Sequence, residues 1–140
     1  MNDERFLLDA TFIAGYLNSK DQHHARALTC MLRVRAASEV AITEAVLIEI
    51  GNLLHPTQHR LRAADFIESC YSTANITVVS VDRSLLTRAT RFYRQPVGKA
   101  WGLTDCISFL VMNDRGLTIS VTADRDFQQA GFRALMLESL

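Results

Sequence analysis

The sequence predicts a single α/β domain, a parallel sheet of four to five strands sandwiched between helices. Three observations lead there. Short β-rich apolar runs alternate with longer helical ones along the chain, the order that strand–helix–strand units produce. The run "ITVVSV" (76–81) is apolar almost without a break, as a strand covered on both faces must be. A length of 140 residues, 49% hydrophobic and 21% charged, suits one domain with one substantial core rather than a disordered chain.

The elements follow in order. "RFLLD" (5–9) reads as the first strand. A short helix starts at Ala10 and a second spans about 21–36. "EVAIT" (39–43) is the second strand. "EAVLIEIGNLL" (44–54) is helical and must stop near His55, because Pro56 comes next. Residues 57–74 make another amphipathic helix, and 76–81 the third strand. Asp82 is placed to cap a helix running towards Arg94, which Pro96 and Gly98 break. "TDCISFLVMNDRG" is a helix closed by Gly116, a natural residue for a helix end. "LTISVT" (117–122) is the fourth strand, and "FRALML" (132–137) a fifth at an edge. No repeat, linker or low-complexity segment interrupts the pattern.

Composition narrows the function. Fifteen basic and 15 acidic residues cancel, so no global field gathers nucleic acid and any such binding needs a local basic patch. Cys30, Cys70 and Cys106 are scattered without a CxxC pair, which argues against a disulfide framework or a zinc knuckle and for buried free thiols. The start carries Asn2, Asp3 and Glu4 rather than a basic signal-peptide opening. No apolar segment is long enough for a bilayer. A cytoplasmic location, with no membrane partner, is the default expectation.

Acidic residues raise the central question. Asp9 and Asp124 each lie just past the carboxyl end of a predicted strand, where open parallel sheets build their sites. Either could instead cap the helix that follows. Glu49 falls in or beside an apolar stripe of Val46, Ile50, Leu53 and Leu54, where a lone carboxylate is costly unless it reaches water or a partner. Asp105 sits in the first turn of a helix apolar almost all round, with Thr104 as its expected cap; the helix dipole alone could account for it. Thr11 could be a capping hydroxyl or a donor to Asp9. Taken together, several acids are predicted at one end of one sheet or on a helix near it. Like charges gathered there need a positive counterpart, and oxygen-only ligands favour Mg²⁺ or Mn²⁺ over zinc. His55 and His59 have ligand-like spacing, but Pro56 lies between them and no third ligand is near.

Four segments carry a resemblance. "FLLDATFIAGYLNSKDQHHARA", "ITEAVLIEIGNLL", "WGLTDCISFLVMNDRGLT" and "VTADRDFQQAGF" resemble, in that order, the motifs of PIN-domain ribonucleases, most like the VapC-type toxins of bacterial toxin–antitoxin pairs. The resemblance implies a PIN-like fold, hydrolysis of single-stranded RNA dependent on Mg²⁺ or Mn²⁺, an antitoxin partner and a homodimer. It places the catalytic and metal-binding acids at Asp9, Glu49, Asp105 and Asp124, with Thr11, Thr104, Thr122 and Asp126 in support. With no cysteine, histidine or serine constellation in these motifs, water is the expected nucleophile.

For the RNA, residues 83–99 carry Arg83, Arg88, Arg91, Arg94 and Lys99 without an acid, and Phe92, Tyr93 and Trp101 lie among or near them. Arginines can hold phosphates and aromatics can stack on unpaired bases, though Arg88, Arg91 and Arg94 could equally form a solvated helix face. Arg94, Lys99 and Trp101, which precede Asp105, are the stronger candidates. Two alternatives stand beside the toxin: an RNA-processing nuclease of the same fold without an antitoxin, and a non-catalytic RNA-binding or scaffold domain. A phosphate-binding small-molecule domain would need a glycine-rich loop after the first strand, and "LDATFIAGYL" has none. In the closing motif Asp124 is expected to serve the metal. Asp126, about 200° further round a helix, is expected to face solvent, Arg125 or Arg133.

Overall fold

The computed structural model describes residues 2–56, 58–95 and 100–139. Five parallel strands form one sheet: β1 (Arg5–Leu8), β2 (Glu39–Thr43), β3 (Ile76–Val79), β4 (Ile119–Val121) and β5 (Arg133–Ala134). Their spatial order is β3-β2-β1-β4-β5. The chain therefore builds outward from β1 to β3, then crosses back to lay β4 on the other side of β1. Such a reversal leaves a crevice at the carboxyl ends of the two strands that flank it.

Side chains alternate across the sheet as the two-residue period requires. Phe6, Leu8, Val40 and Ile42 face one core, which is covered by α1 (Ala10–Leu17), α2 (His24–Ala36), α3 (Glu44–Leu54) and α4 (Arg60–Cys70). Leu7 and Ala41 face the other, covered by α5 (Arg83–Arg94), α6 (Leu103–Arg115) and α7 (Arg125–Gln129). Burial on both faces explains why "RFLL" and "EVAIT" are not polar at alternate positions. The three cysteines are free and buried, as expected.

Most boundaries fall within a few residues of the sequence expectation, and the differences have local causes. Helix α2 starts at His24, because Asn18 and Asp21 side chains fold the preceding residues into turns, accepting from the N–H groups of Lys20 and His23. Helix α4 is shorter than the expected 57–74, ending where Ser69 and Ser72 turn the chain; Thr57 lies outside the described residues. Strand β3 stops at Val79. The expected last strand is two residues long and passes into a 3₁₀ turn at Leu135–Leu137. Pro96 and Gly98 lie outside the described residues.

Two ends behave as the sequence predicts. The Asp82 carboxylate accepts the Leu85 N–H at 2.8 Å and caps α5. Gly116 closes α6 at φ +66°, a left-handed conformation in which a Cβ would be strained. Thr104, by contrast, does not cap α6. Gly102 occupies that position and Thr104 lies in the first turn, which makes Asp105 the third helical residue.

Candidate metal centre

The carboxyl end of β1 holds the most constrained acid. Asp9 is only 4% exposed. Its N–H donates to the Val121 carbonyl at 3.2 Å, continuing the β1–β4 ladder one residue beyond the strand. Two hydroxyls then donate to its Oδ2, Thr122 at 2.7 Å and Thr11 at 3.0 Å. Each hydroxyl is itself oriented by a backbone donor: Asp124 N–H to Thr122 at 3.0 Å, Ala123 N–H to Thr11 at 3.2 Å. One network thus ties the end of β1 to the turn after β4, and it fixes the Asp9 carboxylate before any ligand arrives.

Asp124 stands at the N-terminus of α7 in extended conformation, φ −88° and ψ 121°, and its Oδ1 accepts the Asp126 N–H at 2.9 Å. It is a helix cap. It is also part of a cluster: carboxylate oxygens of Asp105, Asp124 and Asp126 all lie within 4.8 Å of one another. The capping role and the site role weighed in the sequence coexist in one residue.

Asp126 corrects the sequence expectation. Its carboxylate lies beside those of Asp105 and Asp124, because Asp124 is an extended cap and not part of the helix. The angular count from Asp124 fails when that residue is an extended cap whose carboxylate folds back over the first helical N–H groups. Both side chains then gather at the same helix end. Phe127, fully buried, pins the turn to the core, and Gly131 at φ +96° turns the chain towards β5.

Glu49 and Asp9 stand around this trio, within its field. Burial raises the Glu49 carboxyl above its ordinary pKa, and the charges of Asp9 and Asp124 raise it further. The apolar stripe of its helix is Val46, Leu47, Ile50 and Leu54; Leu53, expected in the stripe, is exposed. For Asp9, burial raises the carboxyl and outweighs the two threonine hydrogen bonds and one from Ala10, which pull the other way. Asp105 is pushed up to about 7, first by burial and then by Asp9, Asp124, Asp126 and Glu49. All five acids therefore share one field. An oxygen-only donor set of this kind fits a hard divalent ion.

That field gives a pH signature. A carboxyl raised from the ordinary 3.8 to about 7 favours the protonated fold, so its contribution to stability is complete at low pH and is lost as pH rises through about 7. Without divalent metal, thermal stability is expected to fall between pH 5 and pH 8. Mn²⁺ should restore more stability at pH 8 than at pH 5, and Asp105→Asn should flatten the metal-free slope. A slope unchanged in Asp105→Asn, measured by differential scanning fluorimetry, would contradict this account.

The proposed RNA contacts divide. Arg94 and Tyr93 are exposed at the end of α5. Arg88 is held by Asp114 in a two-pronged pair at 2.7 and 2.9 Å, the structural role its helix face allowed. Trp101 turns inward: its ring meets Phe109 edge-on at 5.0 Å and Phe92 at 5.7 Å, so packing, not an open stacking platform, accounts for its ring. Lys99 lies outside the described residues.

A model of the PIN domain matches residues 6–133. The chain belongs to the PIN domain family. Its acids come from the end of β1, helix α3, the start of α6 and the turn after β4, and membership places it among nucleases. Comparison with curated proteins gives no match. Among solved structures, this PIN domain is similar to VapC20 of Mycobacterium tuberculosis, described as a toxin that cleaves the sarcin–ricin loop. The TM-score is 0.79 at 25% identity, over 91% of this chain and 95% of that one. VapBC2 of Rickettsia felis, solved with a DNA fragment from its promoter, shares the fold at TM-score 0.66 and 10% identity, over 94% of this chain and 97% of that one.

Asp126 is the site residue whose role the sequence understated. Its signal was the spacing itself: two acids separated by one residue at a helix start, directly before a buried phenylalanine. Asp124→Asn and Asp126→Asn are both expected to weaken Mn²⁺ binding by calorimetry. A silent Asp126→Asn would reduce that residue to a bystander.

Proposed function

We propose that this PIN domain is a Mg²⁺- or Mn²⁺-dependent endoribonuclease that hydrolyses single-stranded RNA, and that it is the toxin of a toxin–antitoxin pair. The observation that carries the reading is the convergence of five acids around an Asp9 clamped by Thr11 and Thr122. A purely structural role gives no reason to gather five carboxylates at the switch point of a sheet.

Asp105, Asp124 and Asp126 would hold the ion, with Asp9 and Glu49 completing the negative surround. Once bound, such an ion neutralises these acids, takes up charge building on the phosphate and acidifies a water. The protein's own contribution is placement. Thr122 and Thr11 keep Asp9 from rotating, the Asp126 N–H keeps Asp124 turned into the site, and the first turn of α6 presents Asp105 from the opposite side. Arg94, exposed at the end of α5, is available to the RNA backbone.

The likeness to VapC20 supports the toxin reading, and the VapBC2 fold supports an antitoxin as partner. We extend this to a protein antitoxin that covers the acidic cleft and to a homodimer in solution. Three free buried thiols suit a reducing compartment such as the cytoplasm.

Cleavage of a single-stranded RNA should require Mg²⁺ or Mn²⁺, stop with chelator and resume when the ion is returned. Activity that persists in chelator, or that needs zinc, would end the metal-hydrolysis mechanism. Expression alone should arrest growth of a bacterial host, and Asp9→Asn should relieve the arrest. Equal arrest by a folded Asp9→Asn variant would show that toxicity does not come from this site.

A further inference from the structure

A groove of about 770 Å³ opens beside the acids, between α3, α4, α5 and α6. Its volume lies in the range of ligand sites, about 300–1,000 Å³. It reaches the same edge of the sheet as the acids: Glu44 follows directly on β2, and Thr104 precedes Asp105. Its walls are apolar yet left open to solvent, with Ile48 65%, Tyr71 60% and Leu86 43% exposed. At its polar end the Tyr71 hydroxyl donates to Glu44 Oε2 at 2.8 Å. That fixes the carboxylate of Glu44 in place without neutralising it.

We propose that this groove is a subsite for one unpaired nucleobase next to the cleaved phosphate, and that Glu44 selects a base carrying an exocyclic amine. The inference rests on RNA being the substrate. Three features single out a nucleotide among possible occupants. Flat apolar walls suit a base taken out of its stack. Helix α5, which supplies Leu86 to the wall, carries Arg83, Arg91 and Arg94 on its exposed surface and no acid within its length, an arrangement that suits a polyanion lying along the rim. An ionised carboxylate accepts hydrogen bonds and donates none, so it matches cytosine N4, adenine N6 or guanine N2. Uracil has no amine, and the carbonyl oxygens flanking its N3–H would face the carboxylate unfavourably.

The test uses fluorescein-labelled decamers of uridine, plain or with one central C, A or G, binding the full chain in an Asp9→Asn background with Mg²⁺ present. Fluorescence anisotropy should show at least one amine-bearing decamer bound about tenfold more tightly than plain decauridine. Glu44→Ala should erase that preference, and Ile48→Asp should bring the preferred decamer down to the plain one. Equal affinity for all four RNAs, or no binding to any, would overturn the subsite, as would a preference that survives Glu44→Ala. Unchanged RNA binding by Ile48→Asp, with conversion of a dimer to a monomer, would assign the groove to a second copy instead. Cleavage of the same decamers by the chain with Asp9 intact is read separately: cutting without base preference keeps the nuclease and removes the subsite.

Discussion

Asp9→Asn is expected to abolish cleavage, by about 10²–10³-fold or more, while leaving the protein folded. Loss of one carboxylate from the negative surround of the proposed ion removes several kcal/mol of transition-state stabilisation, and about 1.4 kcal/mol is a factor of ten in rate. The fold should survive because asparagine keeps an oxygen for the Thr122 and Thr11 hydroxyls. It should even gain. Burial pushes the Asp9 carboxyl above its ordinary pKa, so the charged form costs the metal-free fold stability that an amide does not. The variant is expected to melt at or above the wild-type temperature in chelator, a separation of activity from stability found where sites carry strain. Thr122→Val, which removes a hydroxyl serving both Asp9 and the Asp124 N–H, should cost about 10–100-fold, the usual loss for a partner of a metal ligand. Steady-state cleavage rates and melting curves for the three proteins decide the matter. A Asp9→Asn protein that cuts at the wild-type rate would remove Asp9 from the site.

Phe109→Ala is expected to be the most damaging single change outside the acids, at about 3–5 kcal/mol. Phe109 is fully buried at the centre of an aromatic group, edge-on to Phe127 at 4.9 Å and Trp101 at 5.0 Å, and stacked on Phe132 at 5.7 Å. It lies one turn beyond Asp105 on α6, and Phe127 follows Asp126 directly. Removing the ring therefore loosens both walls of the acid cluster from below. Against a typical stability of about 5–15 kcal/mol, that loss should be plain in urea denaturation. Phe109→Leu, which refills much of the volume, should cost far less. Equal and small effects of both variants would mean that the aromatic group does not hold α7 against α6.

What the sequence disclosed and what it concealed follow from the range of the interactions involved. Gly116 and Asp82 were legible because a helix end is decided within four or five residues. The parallel sheet was legible from the alternation of strands and helices, but the apolar run at 76–81, expected to be covered on both faces, belongs to the edge strand β3, whose residues are half-buried or exposed. Asp9 and Asp124 could be placed at one sheet edge by the rule for open parallel sheets, whereas the resemblance was needed to add Asp105. The Thr11–Asp9–Thr122 clamp joins residues 113 apart in the chain, and no local pattern announces it. Asp126 was misplaced for a smaller reason: a side chain accepting a hydrogen bond from two residues ahead set the helix start one residue later than the angular count assumed. Trp101 looked like a binding residue because it neighbours basic residues in sequence. In space its ring packs against two phenylalanines, Phe92 of α5 and Phe109 of α6.

The pairing of β1 with β4 also sets when the enzyme can exist. Thr122 leaves the ribosome 113 residues after its clamp partner Asp9. At synthesis rates of about 5–20 residues per second, roughly 6–23 seconds separate the two. Until then the first three strands can pair, but the end of β1 faces an empty edge, and the acids have neither their clamp nor their cluster. On the proposed reading, a nascent chain cannot cleave RNA until β4 and Thr122 have been made. Chains truncated after Gly116 should express without arresting growth, whatever fold they reach.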